Sequence, residues 1–247
     1  MSDKFRKNTF SIFALSSIIF FAWLGLWQVE RLRWKEGLLW QVEKYKDADP
    51  VEFTIIDYDA KNHLYKKVYL FGRFLHEKEI LLAAKYFSEE RNKNKIGYHV
   101  VTPFITTEGI VTFVNRGWIP EDMKEKKTRK DSLITHNMEK PLLGIVRKSS
   151  GKAPWFMPQN MPEKNIWFWL DIPLLMEFFK NDEDMKNLRP VLIQQVNLTS
   201  YDGFEYPIPV SEDIKLKNDH MHYAITWFLL AFITLGMWYY WLTKQRK

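Results

Sequence analysis

Hydropathy divides this chain into three parts. Two uncharged apolar runs, Phe10 to Trp27 and Tyr223 to Leu242, stand near its ends, and a long polar stretch lies between them. As helices the runs measure roughly 27 and 30 Å, enough to cross a hydrocarbon core of about 30 Å. The pattern predicts a tail at residues 1–9, a transmembrane helix at 10–27, a water-facing domain at 28–222, a second transmembrane helix at 223–242 and a tail at 243–247.

Within the domain the period changes. Gln28 to Tyr45 has apolar residues at Val29, Leu32, Leu38, Leu39 and Val42, plus Trp34, and no proline before Pro50. It is expected to continue the first helix as an amphipathic extension. Strand signals follow at Tyr65–Phe74, Glu79–Tyr86, Gly97–Phe104 and Ile110–Arg116, then at Pro141–Arg147 and Val191–Val196. Thr107-Glu108-Gly109 reads as a hairpin loop. Short connections favour antiparallel pairing, because parallel strands need long crossovers. Ile172–Phe179 reads as a short helix, with Asp171 as its N-cap and Pro173 in its first turn. The expected fold is two transmembrane helices flanking one predominantly antiparallel β domain with short helices.

Charge sharpens the topology. Lys4, Arg6, Lys7, Lys244, Arg246 and Lys247 lie in the tails, opposed only by Asp3, and account for nearly all of the net charge of +6. The domain is therefore close to neutral, which argues against a nucleic-acid partner, and the basic tails are expected on the cytoplasmic or matrix side. Arg31, Arg33 and Lys35 follow the first span on the outer side, but a long domain translocates largely regardless of charge. Trp23, Trp27, Tyr223 and Trp227 mark one interfacial belt, and Trp238 to Trp241 the other. No A-x-A-like cleavage site follows the first run, so it reads as a retained anchor rather than a signal peptide. With no cysteine in the chain, disulfides, thiolate metal sites, c-type haem attachment and thiol nucleophiles are excluded. Lys124–Asp131 (KEKKTRKD) reads as a solvated surface segment. Asn197-Leu198-Thr199 matches a glycosylation sequon.

Enzyme signatures are missing: there is no G-x-S-x-G, P-loop, Rossmann glycine pattern or H-E-x-x-H. His63, His76, His99 and His136 are isolated in sequence and read as surface or structural residues. His220 and His222 lead straight into the second apolar run. On a helix, offsets of three and seven place His220, Tyr223 and Trp227 on one face, with His222 about 160° away. An imidazole beside flat aromatic rings suits haem iron. The residues alone favour the plainer reading of an interfacial histidine among belt aromatics, and His220-Met221-His222 in an extended segment would suit copper. In Arg116-Gly117-Trp118-Ile119-Pro120 the pattern suggests a sharp exit turn after a strand. Its Arg116 could meet an anion such as a haem propionate or lipid phosphate, or, as is more common, satisfy a carboxylate within the domain.

Several segments together resemble the Surfeit-locus-one family. They are Gly25-Leu26-Trp27-Gln28-Val29-Glu30-Arg31, Gly72-x-Phe74, Thr102-Pro103-Phe104, Val114 to Pro120, and Asn218-x-His220-Met221-x-Tyr223-Ala224-Ile225-Thr226-Trp227. They occur in family order across nearly the whole length; the Lys-rich loop at 124–131 matches no family pattern. The resemblance implies a non-catalytic assembly factor for cytochrome c oxidase, associated with haem a and its insertion into the catalytic subunit. It also implies the oxidase catalytic subunit, haem a synthase and the lipid bilayer as partners. His220 stands at the position of the family histidine proposed as haem ligand; nothing carries over to His222. On this expectation His220 holds the iron, Tyr223 and Trp227 line the macrocycle, Trp27 opposes them, and Arg31 or Arg116 meets the propionates. Nine residues before the first span leave no room for a transit peptide, so a bacterial inner membrane with a periplasmic domain is expected. The alternatives are a cofactor-free chaperone or scaffold for an oxidase subunit, a copper chaperone, and a membrane-anchored enzyme acting on lipid.

Overall fold

The computed structural model describes residues 3–55, 63–86, 96–130, 133, 139–148, 151–196, 206–209 and 218–244. The expected sequon at 197–199, His136 and the end of the Lys-rich loop at Asp131 lie outside them. In chain order the elements are α1 (Asp3–Lys46), β1 (Val51–Glu52), β2 (Lys67–Phe74), β3 (Ile80–Tyr86), β4 (Ile96–Thr106), β5 (Val111–Pro120), β6 (Lys140–Arg147), α2 (Ile172–Phe178), β7 (Leu188–Gln195) and α3 (His220–Lys244). The chain forms two compact units, residues 1–43 with 215–247 and residues 44–214.

In the first unit, α1 runs unbroken from the apolar run into its polar extension, as the absence of proline before Pro50 dictates. It has 44 residues and α3 has 25, so both exceed the length a bilayer requires. Their large apolar side chains face outward: Phe13 is 71% exposed and Phe232 74%. Such faces suit lipid, against which apolar exposure carries no penalty. Ser17, Thr226 and Thr234 donate their hydroxyls to carbonyls four residues back in their own helices. Each hydroxyl is thereby satisfied without water.

In the second unit, hydrogen bonding links the strands in the order β1-β2-β6-β7-β5-β4-β3, and β2 also pairs with β4. That extra pairing, Gly72 to Phe74 against Phe104 to Thr106, closes β2, β6, β7, β5 and β4 into a ring. Barrel closure leaves fewer edges to protect. Antiparallel pairs predominate, as expected, and the β4–β5 hairpin turns at Thr107-Glu108-Gly109. The β1–β2 and β5–β7 pairs are parallel. Short-connection reasoning governs only strands adjacent in sequence, and β5 and β7 are separated by β6 and α2.

Alternating side chains of β5 and β7 enter two different cores. Phe113, Leu188 and Leu192 pack with Trp167, Leu175 and Phe179 beneath α2. Val114, Val191 and Ile193 pack with Val68, Phe74, Phe104 and Val146 in the other cluster. Strands buried on both faces read as continuous apolar runs rather than alternating ones. Helix α2 begins where expected: Asp171 accepts from the Leu174 N–H at 3.2 Å, and Pro173 sits in the first turn.

Two sequence expectations are corrected. The segment around Gly117 is no exit turn, because β5 continues to Pro120. Gly117 has φ +132° at a register shift in the β4–β5 ladder, and a Cβ there would lie 2.1 Å from the Ile208 carbonyl. It is a bulge over which Trp118 exchanges backbone hydrogen bonds with Ile208. The Lys-rich segment is not wholly solvated. Arg129 is buried, donates Nη1 to Glu79 Oε2 at 3.1 Å and Nη2 to Oε1, and gives Nε to the Met123 carbonyl. Charge composition marked that stretch as surface; a partner fifty positions earlier draws one of its cations inside.

Glu79→Ala should lower unfolding stability by about 3–5 kcal/mol, since it strands a buried guanidinium. Denaturant titration of full-length protein in detergent, read by tryptophan fluorescence, checks this; a loss under ~1 kcal/mol is the exposed-pair result. A second ion cluster adds a pH effect. Lys78 Nζ meets Asp182 at 2.5 and 2.6 Å and Asp184 at 3.1 Å. Burial disfavours the ammonium, but the two carboxylates outweigh burial and hold its pKa above the ordinary 10.5. The stabilisation is therefore complete below pH 10.5 and lost as pH rises through the folded value. Lys78→Met should remove that part of the alkaline loss of stability.

Candidate functional site

The residues singled out in sequence divide between the two units. Trp27, Arg31, His220, Tyr223 and Trp227 belong to the helical unit, and Arg116 to the β domain. In the helical unit, successive contacts run α1 and α3 antiparallel. Phe10 meets Trp241 at 4.5 Å between ring centroids, Phe21 stacks on Trp227 at 5.8 Å, and Gln28 meets His220 at 2.7 Å. Ala14, Ala224 and Ala231 are buried along this seam. A Cβ on Gly25 would sit 2.6 Å from the Phe228 ring, so glycine is what lets that ring lie against α1. Small residues at a helix seam are the usual means of close packing in lipid.

His220 opens α3, after Asn218-Asp219. The seam is formed by His220, Ala224, Trp227 and Ala231, at offsets of four, seven and eleven. Phe21, Gly25 and Gln28 are the matching stripe on α1. Tyr223 falls beside the seam and is 55% exposed. His222 is exposed. Trp227 stands on the His220 side as expected, with its ring stacked on Phe21. Trp27 is 44% exposed, and the exposed Arg31 lays its guanidinium 4.6 Å over the Trp34 ring on the same helix. The helical start at His220 removes the extended geometry that a His-Met-His copper site requires. Among the described residues, no three His, Asp or Glu side chains gather at one point.

Arg116 is buried in the β domain. Its guanidinium lies 4.9 Å over the Phe74 ring, with Nη1 3.5 Å from His76 Nδ1. Its neighbours here include an aromatic ring and an imidazole, whereas the within-domain role read from the sequence is to satisfy a carboxylate.

The residue that sequence reasoning passed over is Gln28. It is the first polar side chain after the apolar run and is buried, 9% exposed. A glutamine carbonyl oxygen can only accept, so the 2.7 Å contact is donated by His220 Nδ1–H. In a neutral ring that bond leaves the lone pair on Nε2. Among the described residues Nε2 has no hydrogen-bond partner. A polar residue one helical turn beyond Gly25, on the stripe shared with Phe21, was the available signal.

The sequence matches the SURF1 family over residues 15–232. The chain belongs to that family. The match spans both seam stripes and every site residue named above. Among SURF1 relatives, Surfeit locus protein 1 of Mus musculus is 30% identical over 227 residues, covering 87% of this chain and 70% of its own length. The SURF1-like protein of Monosiga brevicollis is 31% identical over 222 residues, covering 87% and 80%. That of Caenorhabditis elegans is 29% identical over 252 residues, covering 94% and 74%.

Replacing Gly25 by leucine should open the seam, at a cost of about 1–3 kcal/mol by overpacking. In this cysteine-free chain, cysteines at positions 21 and 227 should oxidise to a cross-link readily, and more slowly once Gly25→Leu is added. An unchanged rate would show that Phe228 can yield without disturbing the seam.

Proposed function

We propose that this protein, as a member of a family of cytochrome c oxidase assembly factors, carries haem a for the oxidase and helps deliver it to the catalytic subunit without performing a reaction of its own. The observation that carries the reading is the setting of His220: its Nδ1–H is fixed on Gln28, and Nε2 is unengaged among the described residues. That is the form in which histidine ligates a metal. The residues therefore fit haem, whose iron His220 would hold.

The rest of the ligand's chemistry suits the same place. Haem a joins a lipid-seeking tail to water-seeking propionates, and His220 stands where an apolar helix meets polar sequence. Tyr223 and Trp27 offer exposed rings to a flat macrocycle, Trp227 stacks on Phe21 in the seam, and exposed Arg31 offers a guanidinium to a carboxylate. Arg116, enclosed among Phe74 and His76, is better read as a structural residue of the barrel. One protein ligand rather than two favours release to the recipient. The bilayer is the one that houses the oxidase, a bacterial cytoplasmic membrane or a mitochondrial inner membrane. The basic tails stay on its inner side, and the domain at 28–222 lies outside. Partners on this reading are the oxidase catalytic subunit and the haem a synthase.

The test is the absorption spectrum of detergent-purified protein co-expressed with haem a synthesis. Wild type should carry haem a, His220→Ala should lose most of it, and His222→Ala should keep it. Equal losses in the two variants would remove His220 from the site. A colourless wild type from cells shown to make haem a would instead favour a cofactor-free chaperone of an oxidase subunit.

A further inference from the structure

We infer that Gln28 is the positioning residue for His220, selecting its tautomer and setting how strongly its Nε2 donates to a bound iron. The inference rests on the haem reading above and goes beyond it to a residue on the other helix. Its first support is contrast. His63 Nδ1 faces the Lys66 ammonium at 3.3 Å, His76 Nδ1 faces the Arg116 guanidinium, and His99 Nδ1 faces the Asn115 amide nitrogen at 3.4 Å. Those three imidazoles turn Nδ1 toward donors, which occupies its lone pair. His220 turns Nδ1 toward an acceptor, so that in the neutral ring the lone pair lies on Nε2. Among the described histidines with such contacts, it is the one prepared as an Nε2 ligand.

The second support is rigidity. Gln28 and His220 are 192 positions apart in sequence and are joined across a seam that Gly25, Ala224 and the Phe21–Trp227 stack hold close. A buried amide on one helix fixes the ring plane of an imidazole on the other, so orientation does not depend on α3 alone. The third support is the kind of acceptor. A carboxylate in this place would pull the Nδ1 proton strongly, make the ring a more basic ligand and favour ferric iron. A neutral amide accepts more weakly, which keeps the ligand competent yet releasable, as a carrier requires. The outer partner of a ligating histidine tunes metal affinity by roughly 10–100-fold.

The experiment titrates haem a into apo full-length protein in detergent, for wild type, Gln28→Leu, Gln28→Glu and His220→Ala. Affinity is read from the Soret band and the midpoint potential by redox titration. Circular dichroism confirms that each variant keeps its helices. Gln28→Leu should raise the Kd by about 10-fold or more and raise the potential. Gln28→Glu should bind at least as tightly as wild type and lower the potential. The opposite shifts of potential distinguish positioning from a merely structural latch, which would weaken binding and leave the potential of the remaining complex unchanged. If His220→Ala abolishes binding while both Gln28 variants match wild type in Kd and potential, the role of Gln28 is overturned and the haem reading stands. If wild type binds no haem a, or His220→Ala binds like wild type, both fall together.

Discussion

The hydrogen bond from His220 to Gln28 joins the two long helices at the level where both pass from apolar to polar sequence. Buried polar groups near hydrocarbon have few partners, so a side chain that does not bond back to its own helix is satisfied across the seam. That constraint accounts for much of the helical unit. Gly25 and the alanines bring the backbones close enough for the pair to meet. Phe21 and Trp227 stack one to two turns away. Hydroxyls deeper in the spans bond back to their own carbonyls, which leaves the seam itself to packing. One contact thus registers the hairpin, fixes a tautomer and presents the opposite nitrogen.

The β domain solves a different problem. It has no cysteine to staple it, and its stability comes from closure and burial. The short β2–β4 pairing completes the ring, while β5 and β7 supply side chains to two cores at once. Two of the polar groups that enter this interior do so with partners: Arg129 with Glu79, and Thr112 with the Val191 carbonyl at 3.0 Å.

Much of this architecture was legible along the chain. Hydropathy is a local property, so the two spans, the continuation of α1 past Trp27 and the six main strands could be read from their own residues. Asp171 and Pro173 announced the start of α2, because capping uses neighbours three residues apart. The ordered segments from Gly25 to Trp227 carried the family. They also placed His220 at the mouth of the second span, together with Tyr223 and Trp227.

Pairing between distant residues was not legible, because no periodicity encodes it. Whether Arg129 is solvated depends on Glu79, and whether Gly117 ends a strand or bulges it depends on the Ile208 carbonyl. The parallel union of β5 with β7 depends on the path of everything between them. Gln28 is the clearest case: in sequence it is one polar residue after an apolar run. By itself the sequence determined which segments are apolar, which are strands and which histidine opens the second apolar helix, since each follows from local composition. Only the tertiary structure decided which nitrogen of that histidine is free, because a tautomer is set by the atom across the seam.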